Sequence, residues 1–244
     1  MAGADIENIK NYFLRIKTQS LFLSSVYDFF ECKGIEFGFL GGAVRAAIND
    51  AAKLPRDFDI VFDSSDVEFD TFLEEKNIDF EKNSFGGRKI RADNLVFDIW
   101  SLARHHLIAD HKYSKDFRNI SKTTVINYDS IFFDWTNQKL MGDYSYCLDN
   151  HSIDFVGNKK YQKFNRQKDI TICKLALLKS QGFLFSNDID NYVSNYVKSC
   201  FGKNFLFDRE DFFNCFIYNY NRHCGFKLDA KTRDIIYKFI FSYL

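Results

Sequence analysis

The sequence predicts an α/β (α+β) protein: a small mixed sheet flanked by helices, followed by a short all-helical region. Three observations carry this. Between residues 35 and 157, runs alternating apolar and polar side chains interchange with runs of helical period. After Gly157 the strand patterns fade and helical ones dominate. Hydrophobic residues make up 46% of the 244, with 29 Phe and 13 Tyr to supply core volume, while 27% charged residues place the chain among ordinary globular proteins. The expected division is residues 1–157, which carry the site, and a helical domain over 158–244.

Each element has its own signal. Residues 5–33 are expected to be helical, with Ile6, Ile9, Phe13 and Ile16 at helical spacing, then Leu21, Val26 and Phe29, and Gly34 as the stop. Ile35 to Leu40 reads as a short strand. Gly41-Gly42 makes a tight turn into the helix AVRAAINDAA, and DFDIVFD is strand-like. A helix is expected from Asp66 to Lys76. FGGRKIRA and NLVFDIW form a strand pair around the turn Asp93-Asn94. TTVINYDSIFFD is either helical or extended, and 136–150 is mixed and turn-rich. Four helices follow: ITICKLALLKS, NDIDNYVSNYVKSC, REDFFNCFIYNY and DAKTRDIIYKFIFSYL, the last behind Asp229 as N-cap.

Bulk properties bound the function. Net charge is zero, so any nucleic-acid surface must be local. The run KKYQKFNRQK, from Lys159 to Lys168, is one such cluster: a solvated connector on charge alone, or a rim facing phosphates. The N-terminus lacks a signal-type apolar run and no uninterrupted apolar stretch spans a bilayer, so a cytoplasmic protein without a membrane partner is expected. Six scattered cysteines without a C-x-x-C pattern read as free buried thiols. His105, His106 and His111 lack the spacing of a transition-metal site and read as surface histidines.

The strand DFDIVFD poses the central question. Side chains alternate faces along a strand, so Asp57, Asp59 and Val61 share one face while Phe58, Ile60 and Phe62 enter the core. Two neighbouring carboxylates repel unless something positive lies between them. Mg²⁺ prefers oxygen ligands and takes one or two carboxylates plus substrate phosphates, and paired ions clamp phosphoryl transfers. A third carboxylate is offered by LVFDIW, where Asp98 interrupts an apolar run in which an acid is costly unless it faces a site. Upstream, Gly41 and Gly42 allow close backbone approach at a helix N-terminus, a cradle for a triphosphate, with Arg45 in the first turn. Arg88, Lys89 and Arg91 lie nearby, either touching phosphates or forming a solvated face.

G-G-A-V-R followed by R-D-F-D-I-V-F resembles the head domain of the poly(A) polymerase and CCA-adding enzyme group within the nucleotidyltransferase superfamily. The resemblance covers residues 35–157 well and implies a nucleotidyltransferase-like head over 1–157 with a neck-like helical domain over 158–244. It implies Asp57, Asp59 and Asp98 as catalytic and metal-binding carboxylates, and Gly41, Gly42, Arg45, Arg56 and Asn127 as nucleotide-binding residues. Asn127 matches the asparagine of an F-T-I-N-A segment and Asp134 a later aspartate. Departures are visible: Ala46 stands where members carry aspartate, and Ser121, Lys122 and Thr123 stand where they place Arg-Arg-Asp.

The implied chemistry is transfer of a nucleoside monophosphate from an NTP to an acceptor hydroxyl, with two Mg²⁺ ions and release of pyrophosphate. An RNA 3′ end, tRNA-like, is the expected acceptor, with Lys159 to Lys168 guiding it. Nucleotidylation of a small molecule or a protein, as in toxin or defence enzymes, is the alternative. A third possibility is a catalytically inactive binding partner with the same head.

Overall fold

Phenylalanine fills one face of the sheet, and this decides the layers. The computed structural model describes residues 3–49, 52, 54–83, 86–157, 168–201, 209–224 and 227–244. Residues 159–167 of the basic run lie outside the described residues. The chain divides into two compact units. One is built on the residues up to Tyr144 with Val156 and Gly157, the other on Ser145–Phe155 and the described residues from Lys168 onward.

The first unit opens with α1 (Gly3–Gln19) and α2 (Leu21–Lys33). The expected helix over 5–33 is two helices, because Ser20 adopts an extended backbone and its hydroxyl caps α2 by accepting from Leu23 N–H at 3.0 Å. Gly34, at φ 63°, ends α2 in the left-handed conformation that suits glycine. Then follow β1 (Phe37–Leu40), α3 (Gly42–Asn49), β2 (Phe58–Phe62), α4 (Asp66–Glu75), β3 (Glu81–Lys82), β4 (Arg88–Ala92) and β5 (Leu95–Ser101). Asp93 and Asn94 both have positive φ, 52° and 61°, as a tight two-residue hairpin requires. Asp93 also accepts from Ser20 Oγ at 2.7 Å and Phe22 N–H at 2.9 Å, tying the hairpin to the start of α2. The short helix α5 (His106–Ala109) precedes β6 (Phe132–Asp134) and β7 (Lys139–Met141). The segment TTVINYDSIFFD resolves as a 3₁₀ turn over Asn127–Asp129 followed by β6.

The sheet is mixed and larger than expected, in the order β3-β4-β5-β2-β1-β6-β7. All its pairings are antiparallel except β2 with β5. Phe39, Phe58, Ile60, Phe62, Phe97 and Ile99 on one face are fully buried. They meet Phe13 of α1, Phe30 of α2 and Phe69 of α4, with Phe13 stacked on Phe39 at 3.9 Å between ring centroids and Phe30 on Phe62 at 5.3 Å. Each fully buried Phe contributes roughly 1.5–3 kcal/mol relative to exposure. The opposite face carries a smaller core of Leu40, Val61, Leu102, Ile108, Phe117, Ile120 and Phe132, with Trp100 and Met141 packed against it. Gly38 makes room for it: a Cβ there would lie 2.4 Å from the Phe132 ring.

Arg88 corrects a sequence expectation. It neither touches solvent nor faces the acidic row, because the alternation of β4 turns it to the helix-covered face, where its side chain is 1% exposed. It donates from Nε to Asp70 at 2.6 Å and from Nη1 to Asp66 at 2.5 Å, locking β4 to α4. Burial opposes its charge, but the bonds to Asp70 and Asp66 prevail and raise its pKa. Asp70 is the mirror case: burial pushes it up, and bonds from Arg88 and Lys82 outweigh burial and hold it below the ordinary value.

In the second unit, α6 begins the transition (Tyr144–Asn150), β8 (Ser152–Ile153) pairs in parallel with β9 (Leu184–Phe185), and α7 (Lys168–Ser180), α8 (Asn187–Phe201), α9 (Arg209–Cys224) and α10 (Ala230–Phe241) complete it. The β8–β9 pair departs from the all-helical expectation; the strands are two residues each, too short to leave a periodicity in sequence. Asp229 caps α10 as expected, accepting from Thr232 N–H at 2.8 Å. Of the cysteines with described side chains only Cys147 and Cys173 are buried, against the expectation of buried thiols throughout. No described helix is long and apolar enough to cross a membrane.

Arg88→Ala removes the buried guanidinium between Asp66 and Asp70, which keep Arg104 and Lys82 as partners, and is expected to lower the unfolding free energy by about 2 kcal/mol in urea denaturation at pH 7. Because the folded-state pKa of Asp70 is depressed, its contribution is complete above the ordinary 3.8 and is lost as pH falls through the lower folded value. Asp70→Asn is therefore expected to flatten the acid limb of the parent's stability curve.

Candidate active site

Strand register assembles the candidate site. β2 and β5 run parallel with Asp59 opposite Asp98. Leu40 of β1 lies opposite Asp59, and Lys89 of β4 opposite Asp98. One row therefore crosses four strands on one face: Lys89, Asp98, Asp59, Leu40. Neighbouring strands stand about 4.8 Å apart, so the two acids come within mutual reach by backbone pairing alone. Asp57 lies two residues before Asp59, just outside the strand.

The glycine turn adjoins the same row. Gly41 has φ 65°, donates its N–H to Ile131 O at 2.8 Å and accepts from Arg45 N–H at 3.0 Å. It thus bends the end of β1 into α3 in a conformation that disfavours side chains. A Cβ on Gly41 would lie 3.9 Å from an Asp59 carboxylate oxygen, so the turn opens directly beside that acid. Arg45 reaches back from α3 to the 3₁₀ turn. It donates to Tyr128 O at 2.7 Å and Asp129 Oδ1 at 3.2 Å, and its guanidinium lies 4.2 Å from the Tyr128 ring centroid. Asn127 is buried at the head of that turn, where its carbonyl accepts from Ser130 N–H at 3.1 Å and Ser130 Oγ at 2.8 Å.

Two of the acids are turned toward cations. Asp57 accepts from Arg56 Nη2 at 2.7 Å. Asp98 Oδ2 stands 3.6 Å from Lys89 Nζ. Burial, and then Asp57, push the Asp98 pKa up, and the Lys89 ammonium works against them; the net direction is upward. As placed, no group of three or more His, Cys, Asp or Glu among the described residues is gathered for a metal ion. The donor chemistry nonetheless fits Mg²⁺: carboxylate oxygens from adjacent backbone positions, with mutual repulsion that a divalent ion relieves.

Sequence reasoning did not single out Lys89 as the partner of Asp98, or Tyr128 and Asp129 as anchors for Arg45. The K-I-R alternation around Ile90 does place Lys89 on the acid face; the long-range anchors left no local signal. The histidine expectation needs correction for His105, which follows the 3₁₀ turn after β5 and is half-buried, with Nε2 3.2 Å from Thr123 Oγ1. Burial, with a smaller push from His106, lowers its pKa to about 3, so it stays neutral. Its Nδ1 and the Trp100 Nε1 are buried without a hydrogen-bond partner.

No protein-family model and no curated protein sequence matches the chain. Solved structures do. A tRNA nucleotidyltransferase complexed with a primer tRNA and an incoming ATP analogue aligns at TM-score 0.59 and 12% identity, over 88% of this chain and 59% of that one. A CCA-adding enzyme with CTP aligns at 0.53 and 14%, over 72% and 42%. The Thermotoga maritima CCA-adding enzyme complexed with tRNA aligns at 0.53 and 12%, over 71% and 40%. The chain spans roughly half the length of these structures. It shares the fold of these CCA-adding and tRNA nucleotidyltransferase structures.

Asp98 allows a test independent of activity. A carboxyl group whose folded pKa is raised loses stabilising free energy as pH climbs from 3.8 through the folded value. Asp98→Asn is therefore expected to be at least as stable as the parent at pH 7 in urea denaturation, with the difference vanishing below about pH 3.8. A loss of stability at pH 7 would mark Asp98 as a structural acid.

Proposed function

We propose that the chain is a metal-dependent nucleotidyltransferase that transfers a nucleoside monophosphate from an NTP to an acceptor hydroxyl. The observation that carries the reading is the register of Asp59 against Asp98, with Asp57 two residues away and the Gly41 turn beside Asp59. Asp57 and Asp98 each have a cation beside them, but backbone pairing still places Asp59 and Asp98 side by side on one sheet face, an arrangement that ion pairs alone do not require.

In this reading each residue has a task. Gly41 and Gly42 let the NTP phosphates approach the backbone at the start of α3. Arg45 holds the Asn127–Asp129 turn beside them, so its role is to shape the nucleotide wall, with Arg56 flanking Asp57. Asp57, Asp59 and Asp98 would hold the Mg²⁺ ions, which when bound neutralise developing phosphate charge as Lewis acids. The acceptor hydroxyl gives up its proton to water as its oxygen bonds in line to the α-phosphorus, the α–β phosphoanhydride breaks, and pyrophosphate leaves.

An RNA 3′ end, tRNA-like, is the first acceptor to consider, since solved structures of this fold include complexes with tRNA. A protein or small-molecule hydroxyl is the alternative acceptor. Where the resembling family places Arg-Arg-Asp, Ser121 and Thr123 are buried and Lys122 alone is an exposed cation, so these positions offer the nucleotide fewer contacts and leave the acceptor open.

The test is to incubate the pure chain with Mg²⁺ and each labelled NTP, separately with total RNA, protein lysate and small acceptors. Label in RNA supports the first acceptor, and label in protein or metabolites supports the second. Asp57→Ala and Asp59→Ala are expected to reduce incorporation by roughly 10²-fold or more while leaving the circular-dichroism melt near that of the parent. Full incorporation by both variants would remove the carboxylates from the mechanism.

A further inference from the structure

We propose that Lys89 is a resident competitor for the divalent ion at Asp98, so that the site takes its ion together with a nucleotide and holds the free ion weakly. The inference rests on reading the acidic row as the ion site, and it assigns a role to a residue outside that row's chemistry.

The geometry begins with β4. Arg88 and Ile90 point into the core, which sends Lys89 to the acid face, opposite Asp98 in the antiparallel register. Lysines commonly carry the ammonium into water. Lys82 and Lys115 do so in part, with side chains 55% and 49% exposed beside their partners Asp70 and Asp63. Lys89 is less exposed, at 36%, and its Nζ stands 3.6 Å from an oxygen of Asp98, whose own side chain is 18% exposed. It is thus the cation standing next to the acid that the ion must share with Asp59.

An ammonium and a divalent ion on one carboxylate repel each other, and the effect is strongest where water is partly excluded. Binding of the free ion must therefore turn Lys89 away or leave two cations in conflict. An NTP changes the balance, because its phosphates bring several negative charges into the same space and give the displaced ammonium a partner. Without an ion, Lys89 offsets the repulsion between Asp98 and its neighbours.

The test measures Mn²⁺ binding to the full chain by electron paramagnetic resonance, with and without a non-hydrolysable NTP analogue. Lys89→Met is expected to bind free Mn²⁺ about five-fold more tightly than the parent, with Lys89→Arg close to the parent. The gain is expected to disappear in the double variant Lys89→Met/Asp98→Asn, and the nucleotide is expected to tighten Mn²⁺ binding more in the parent than in Lys89→Met. Unchanged or weaker Mn²⁺ binding by Lys89→Met overturns the role of Lys89, while the ion-site reading stands if Asp59→Asn still abolishes binding. Mn²⁺ binding that is indifferent to Asp59→Asn overturns both.

Discussion

The parallel pairing of β2 with β5 is the constraint on which the site depends. Among the described strands of the sheet it is the one parallel contact, and it sets Asp59 opposite Asp98. Backbone hydrogen bonds fix that juxtaposition, so the chain cannot relieve the carboxylate repulsion by moving one strand without breaking the ladder. What it can do is rotate side chains toward cations, and it does: Arg56 takes Asp57 and Lys89 stands by Asp98.

The two faces of the sheet divide the work. One is filled with stacked aromatic rings under α1, α2 and α4, which gives a rigid support. The other is covered over part of its area by the Val61 and Phe132 cluster and carries the acids beside it. Leu40 of that cluster lies opposite Asp59, and Val61 pairs with Trp100 two residues beyond Asp59 and Asp98, so the apolar cover directly adjoins the carboxylates. Such a boundary partly desolvates the acids, which agrees with the upward push of burial on Asp98.

Much of this was legible in the sequence for a definite reason. The alternation in DFDIVFD and LVFDIW sorts each strand into a core face and an acid face, and period 2 leaves little room for error. The turn at Asp93-Asn94 and the glycine bend are local chemistry and were readable as such. Long-range pairing was not. Nothing in the alternation says that Lys89 faces Asp98 while Arg88 is drawn into the core by Asp66 and Asp70. The break at Ser20 was hidden because the apolar helical spacing runs on both sides of it, and the cap depends on Asp93, far along the chain. Arg45 read as a phosphate contact from its place after the glycines, while its anchoring to Tyr128 and Asp129 rests on residues some 80 positions away.

If the acid row and the glycine turn form one site for a divalent ion and a triphosphate, a crystal structure of the chain grown with Mn²⁺ and a non-hydrolysable NTP analogue, with anomalous diffraction at the manganese edge, will show manganese held by Asp59 and Asp98 and the triphosphate against Gly41 and Gly42. Nucleotide bound elsewhere, or manganese away from both aspartates, would refute a shared site.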